Sequence, residues 1–347
     1  MRRRRLRVGL LFGVLPAVAF VLGVPAMAFG TTPAPSTTAT ATAPGSVGIR
    51  LLDVPVSEAN DPRARLYIVD HATPGAVIQR HVEVSNTTSS NLSIALYAAA
   101  ATIEGTSFIG DAAHAANDLS SWTSVSPAAP QIPAGGTAAA TVTIAVPTDA
   151  TAGEQYAIVW AEVRTSADAS GVTEVNRVGV RIYLSVGSGV APAAGFTIGS
   201  LTAGRSSQGN PVVIAAVHNT GGTALDMSGT LQLSDGPGGL SAGPFPAALG
   251  VTLAIGATEP VTITLNEVVS SGPWLARIAL HSGLTERSAQ ATVTFPASGT
   301  SSAVTTVTTH RHSDADSIAT MAVIASVIAV AGIAVLRRRP KGGHWLA

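Results

Sequence analysis

The chain has 347 residues, 12% of them charged, no cysteine, and 20 basic side chains against 20 acidic ones. The missing cysteines exclude disulfides, thiolate metal sites and thiol catalysis, so any fold must rest on its apolar core. The zero net charge hides a separation: all twenty carboxylates lie between Asp53 and Asp316, whereas only eleven arginines fall within residues 29–316, a difference of −9 that argues against nucleic acid and anionic lipid as partners.

Residues 1–28 read as a secretory signal peptide. Arg2 to Arg5 and Arg7 make a basic start, an apolar run at 8–24 broken by Pro16 follows, and Ala26-Met27-Ala28 is a small-x-small cleavage signature. An uncleaved N-terminal anchor is the alternative. Arg4-Arg5 raises a twin-arginine route, but the following residues lack the rest of that pattern, which favours the general secretory route. Nineteen arginines against a single lysine, Lys341, point to a GC-rich bacterial genome. Residues 29–45, rich in Thr, Ala and Pro, cannot bury a core and are expected to be an extended leader.

From residue 46 the hydrophobic period becomes two. Val178, Val180, Ile182, Leu184 and Val186 alternate with other residues, as do Val142, Ile144 and Val146, then Leu92, Ile94 and Leu96, then Val261, Ile263 and Leu265. Each run predicts a strand with one buried face. Gly, Pro, Asn and Asp clusters such as Asn219-Thr220-Gly221-Gly222 separate them, and the only helical expectation before residue 317 is one or two turns within 111–119. Many short strands with frequent turns predict an all-β fold, here two tandem Ig-like β-sandwich domains at 46–187 and 194–297, with the boundary near Gly187 to Pro192. Landmarks recur in the same order in both: Asn86-Thr87 and Asn219-Thr220, then Ile132-Pro133-Ala134-Gly135 and Ile255-Gly256, then Gly153 to Tyr156 and Gly272 to Trp274. The first copy is about a dozen residues longer between the Asn and Ile landmarks, an insertion placed at 105–130. Chance similarity of two β-rich stretches is the alternative.

Residues 298–316 are Ser/Thr-rich and read as a stalk. Residues 317–336 form twenty residues without a charge, and Arg337-Arg338-Arg339 follows. Such a helix is roughly 30 Å long, enough to cross a bilayer, and the arginines place the basic tail at 337–347 in the cytoplasm. The expected protein is a single-pass plasma-membrane protein with an extracellular N-terminal ectodomain. No Leu-Pro-x-Thr-Gly precedes Ser317, so the span is expected to stay in the mature chain.

Chemistry-bearing motifs are scarce. There is no Gly-x-Ser-x-Gly, His-Glu-x-x-His, Walker loop or complete dinucleotide fingerprint, and no enzyme activity, cofactor or metal is expected. His310, His312, Asp314 and Asp316 contain ligand types for zinc, but a solvated charge cluster explains them more simply. Asp61, Arg63 and Arg65 read as loop charges pairing locally, and His81 as a residue of a solvent face. Trp122, in the insertion, is the one candidate binding residue: a loop tryptophan stacks on sugar rings, although it more often plugs the end of a sandwich. Trp160 and Trp274 read as core, and Asn86 and Asn91 as turn residues.

Asp61-Pro62-Arg63-Ala64-Arg65, Tyr67 to Asp70, Pro74-Gly75, Val84 to Thr87, Gly153 to Tyr156, Trp160-Ala161-Glu162 and Asn176 to Leu184 together resemble the actinobacterial surface-ectodomain family, itself similar to the WxL-interacting proteins of low-GC Gram-positive bacteria. That resemblance implies two Ig-like domains, a C-terminal span and a basic tail. It also implies a peptidoglycan-binding first domain and a second domain that contacts proteins. No Trp-x-Leu pair occurs in the ectodomain, and no binding residue is carried over. The expected role is a surface binding protein for cell-wall polymer or another envelope protein. The rival is a structural or accessory subunit of a surface assembly, pairing through exposed strand edges, and an exported hydrolase is a third reading.

Overall fold

The computed structural model describes residues 46–164, 171–248 and 250–308. The expected signal peptide, leader, membrane span, cytoplasmic tail and the cluster from His310 to Asp316 lie outside them. Among the described residues, no helix is long and apolar enough to cross a membrane.

The first sandwich is built from β1 (Val47–Leu51), β2 (Ile68–Ala72), β3 (Val77–Asn86), β4 (Leu92–Ser93), β5 (Ala95–Glu104), β6 (Ser107–Gly110), α1 (Asp118–Trp122), β7 (Thr123–Ser126), β8 (Gln131–Ile132), β9 (Thr137–Ala145), β10 (Gly153–Arg164) and β11 (Val175–Val186). One sheet has the order β1-β3-β9-β7 and the facing sheet the order β2-β11-β10-β5-β6, while β4 and β8 pair at the side. The pairing is antiparallel except where β2 runs parallel to β11. Alternation does the sorting: β9 buries Ala140, Val142 and Ile144 and turns the residues between them outward. Val82, Val84, Val159, Ile182 and Leu184 meet them in one core, and each such side chain contributes about 1.5–3 kcal/mol by leaving water.

The second sandwich contains β12 (Phe196–Arg205), β13 (Pro211–Asn219), β14 (Leu225–Ser234), β15 (Ala242–Pro246), β16 (Val251–Leu253), β17 (Thr258–Thr264), β18 (Trp274–Ser282), β19 (Thr285–Val293), β20 (Val304–Thr305) and β21 (Val307–Thr308). Its sheets run β17-β13-β12-β20 and β15-β14-β18-β19-β21, with β16 also on β14. Phe196, Leu201, Leu231, Phe245, Trp274 and Phe295 fill its core. Gly236 is required there: a Cβ would come within 2.2 Å of the Trp274 ring.

The two sandwiches repeat one buried corner. Asn86 donates through Nδ2 to the carbonyls of Ser90, Ile132 and Pro133, and its Oδ1 accepts from the Thr88 N–H. Asn219 donates to the carbonyls of Thr223, Leu253 and Ala254 and accepts from the Gly221 N–H. Both side chains are fully enclosed. The bonds from Asn86 to Ile132 and from Asn219 to Leu253 span 46 and 34 residues, which locates the extra dozen residues of the first copy between these landmarks. Within the expected insertion the chain forms β6, α1 and β7.

Two expectations shift. The short helix lies at Asp118–Trp122, later than expected, because Ala113 and His114 take φ of 57° and 62° and Asn117 then caps it reciprocally with Ser120. Residues 304–308 are not stalk: Val304 and Thr305 pair with Leu201 and Ser200, and Val307 and Thr308 with Gln290 and Ala289. A Ser/Thr-rich composition concealed the run Val304-Thr305-Thr306-Val307-Thr308, whose β-branched residues suit a strand edge.

Candidate functional site

The sequence pattern of β11 assigns Arg181, Tyr183 and Ser185 to an outward polar face. Tyr183 and Ser185 are nevertheless buried: Arg63, Tyr67, Phe108 and Tyr156 lie against the Tyr183 ring, and Asp226 of the second sandwich meets its hydroxyl. The seam is organised by Asp226 on β14. Its Oδ2 accepts from Arg63 Nε at 2.6 Å, and its Oδ1 from Arg181 Nη1 and the Tyr183 hydroxyl at 2.9 Å each. Thr252 on β16 adds a bond from its hydroxyl at 2.8 Å. One carboxylate of the second sandwich thus receives two guanidinium groups and a phenol of the first.

Arg63 corrects the expectation of local pairing. Its backbone N–H does bond to Asp61 Oδ1 at 2.7 Å, but its guanidinium crosses to a residue 163 positions away and is only 8% exposed. The 3-10 turn Arg63–Arg65 before β2 aims it across the seam. The guanidinium also stacks over the Tyr183 ring, 4.4 Å from the centroid. Burial works to lower the Arg63 pKa, but the Asp226 charge and hydrogen bond outweigh it, leaving the group firmly cationic.

An aromatic layer supports this charge cluster. Phe108 on β6 meets Tyr183 with centroids 5.2 Å apart, and Arg181 lies 4.8 Å over Phe108 and 5.0 Å over Tyr67. Beside it, Glu154 Oε2 accepts from the Tyr156 hydroxyl at 2.7 Å and from the Ala224 N–H of the second sandwich at 2.6 Å. Burial pushes the Glu154 carboxyl pKa up against those two bonds, and burial raises the Tyr183 phenol as well. A backbone bond from the Thr252 N–H to the Thr106 carbonyl at 2.8 Å closes the far end.

The remaining sequence candidates lie elsewhere. Trp122 ends α1 and is half-buried, with its ring packed on the first core. Trp274 is core. Trp160 is half-buried in a satellite cluster with Tyr97 and Ile158 on the outer face of the β10 sheet, and its Nε1 donates to the Asp111 carbonyl at 2.7 Å. Gly179 on β11 leaves that ring its space: a Cβ there would lie 2.8 Å from Trp160 and Ile158. Next to it Glu162, only 3% exposed, accepts from Tyr97, Arg164 and Arg177 at 2.5–2.6 Å. Burial would raise its pKa, but these three bonds pull it down to about 2. His81 stands exposed, as expected, with Nδ1 at 2.8 Å from Asp53. Among the described residues no cluster of His, Asp and Glu has the arrangement of a metal site.

One strand edge is left open. β10 pairs with β11 along its whole length, but β2 covers only residues 182–186. Residues 175–181 have no strand partner on the other side among the described residues. Every second residue there aims its N–H and C=O away from β10. Partly buried Val178 and Val163 lie at this open seam of the core.

No family model matches the sequence, and no curated protein matches it. Solved structures give distant likenesses. The Pseudomonas aeruginosa CupB2 chaperone is 10% identical with a TM-score of 0.35, covering 65% of this chain and 97% of its own. The YadV chaperone is 10% identical with a TM-score of 0.38, covering 71% and 99%. The Salmonella enterica complex of SafA pilin with the SafB chaperone gives 10% identity and a TM-score of 0.36, covering 75% and 95%.

Proposed function

We propose that this chain is an accessory component of a bacterial surface assembly that works by binding another protein, without bond-making chemistry. The open edge of β11 carries the reading. Among the described residues, 175–181 offer a row of backbone groups without a strand partner beside an incompletely covered apolar seam, which is the requirement for adding a partner's strand. The Asp226 cluster supports it by tying the second sandwich to the sheet that carries this edge, so a captured strand is held at a fixed place on a two-sandwich body. The span at 317–336 would tether that body to the plasma membrane, with the described residues outside.

A photo-crosslinker at exposed Asn176 tests this on intact cells, with Glu259 on the distant strand β17 as the control position. The expected result is an adduct with one envelope protein at position 176 and none at 259. Equal adducts at both positions, or none at either, would overturn it. Recognition of wall polymer is the second reading, favoured by the half-buried Trp160 beside Arg177 on an outer sheet face. Sedimentation with isolated wall that is lost in Trp160→Ala would support it in place of the first.

A further inference from the structure

Beside the Asp226 cluster lies a cavity of about 210 Å³, walled by β2, β10 and β11, the connection at 187–195, and the β18–β19 turn. It has room for several waters or for a ligand the size of a single amino acid. Among the described residues, three polar atoms in its wall residues are buried with no partner: Arg63 Nη2, Asp70 Oδ2 and His71 Nδ1. Arg63 and Asp70 are each only 8% exposed. Buried polar groups normally find partners, so three spare ones around a single cavity point to something that fills it.

The three differ in what they require. Arg63 Nη2 can only donate. Asp70 Oδ1 already accepts from Arg80, which leaves Oδ2 as a spare acceptor. His71 Nε2 lies 3.2 Å from the Gly189 carbonyl, which can only accept, so Nε2 donates there, and in the tautomer that this bond selects Nδ1 is a second spare acceptor. Turned toward the cavity, the three would offer one donor and two acceptors. Glu58, Asp61, Asp70 and Glu154 line it; Arg80 balances Asp70 from behind, and Asp226 already balances the lining cation Arg63, which leaves Glu58, Asp61 and Glu154 in excess. That field repels a simple anion and attracts a cation.

We propose that this cavity binds an α-ammonium group together with its neighbouring carbonyl, the chemistry of a free amino acid derivative or a peptide N-terminus. The ammonium donates to Asp70 Oδ2 and His71 Nδ1, and the carbonyl accepts from Arg63 Nη2, each after a small side-chain adjustment toward the cavity. Burial holds the Asp70 pKa above its ordinary value in spite of Arg80, consistent with a carboxylate that lacks a donor. The site is separate from the β11 edge, so failure of one reading leaves the other standing.

Calorimetric titration of the full-length chain with alanine amide, N-acetylalanine amide and trialanine tests the assignment. Alanine amide is expected to bind saturably, with the acetylated probe at least tenfold weaker. Tighter binding of trialanine would name a peptide N-terminus as the source, and equal binding a small free amine. Asp70→Asn is expected to weaken alanine amide by tenfold or more. Because that change also removes a partner of Arg80, Leu284→Trp provides a second variant: Leu284 lines the cavity yet is 69% exposed, and the larger ring closes the entrance without touching either core. Acetylated probe binding as tightly as the amine, no saturable binding of any probe, or unchanged affinity in Leu284→Trp would each overturn the proposal. In the second case the cavity holds water only.

Discussion

Asp226→Ala is the sharpest perturbation of this molecule. It removes the acceptor of Arg63, Arg181, the Tyr183 hydroxyl and the Thr252 hydroxyl together. At an effective dielectric of about 20, unit charges roughly 4 Å apart attract by about 4 kcal/mol, much of which offsets the cost of taking both groups out of water. Truncating one partner strands the other, and Arg63, 8% exposed against the Tyr183 ring, is left without its counter-charge. The expected loss is about 3–5 kcal/mol. Urea unfolding of the full-length chain, followed by tryptophan fluorescence, measures it, since Trp160 reports the first sandwich and Trp274 the second. The double variant Arg63→Met/Asp226→Leu removes the buried charge as well as its partner and is expected to cost less than Asp226→Ala alone. A loss under about 1 kcal/mol for Asp226→Ala, or a double variant equal to the sum of its singles, would show that the pair does not couple the sandwiches.

Asn86→Ala and Asn219→Ala each remove three bonds donated to carbonyls at an enclosed corner, so each is expected to cost about 2–4 kcal/mol in the same assay, with the fluorescence change confined to its own sandwich. Glu154→Gln keeps an acceptor for the Ala224 N–H and is expected to stay within about 1 kcal/mol of the parent, whereas Glu154→Ala orphans that N–H and loses about 1–3 kcal/mol. The folded Glu162 pKa of about 2 lies below its ordinary value of 4.5, so its contribution is complete above pH 4.5 and disappears as pH falls toward 2. The stability of Glu162→Gln should therefore fall less steeply than that of the parent between pH 4.5 and 2, and parallel curves would refute the assignment. Deleting residues 304–308 uncovers the β12 edge and is expected to lower the unfolding midpoint of the second sandwich alone.

The strands were legible because their evidence is local. Val142 with Ile144, and Ile182 with Leu184, announce a buried face through spacing alone, and the backbone of a strand can present them in only one way. Asn86 and Asn219 were legible as turn residues and as repeat landmarks, but not as enclosed side chains closing a corner against carbonyls 46 and 34 residues on. Arg63 was misread for the same reason: a basic residue beside Asp61 in a Pro-containing loop has a partner at hand, and nothing nearby signals one 163 positions away. Trp122 offered two readings, and its packing on the first core depends on where the capped turn at Asp118–Trp122 sets it down.

The sequence by itself determined the all-β architecture, the two copies and the separation of charge, since period, turn residues and composition are properties of neighbours along the chain. Only the tertiary structure decided that the polar side of β11 is an interface. Arg181, Tyr183 and Ser185 alternate as a solvated face would, and what meets Tyr183 is a layer of distant first-sandwich side chains together with Asp226 of a second sandwich whose approach no local pattern encodes. The same docking walls off a cavity rich in carboxylates, whereas the edge at 175–181 is open among the described residues because β2 reaches only 182–186; each follows from how separate pieces of the chain meet.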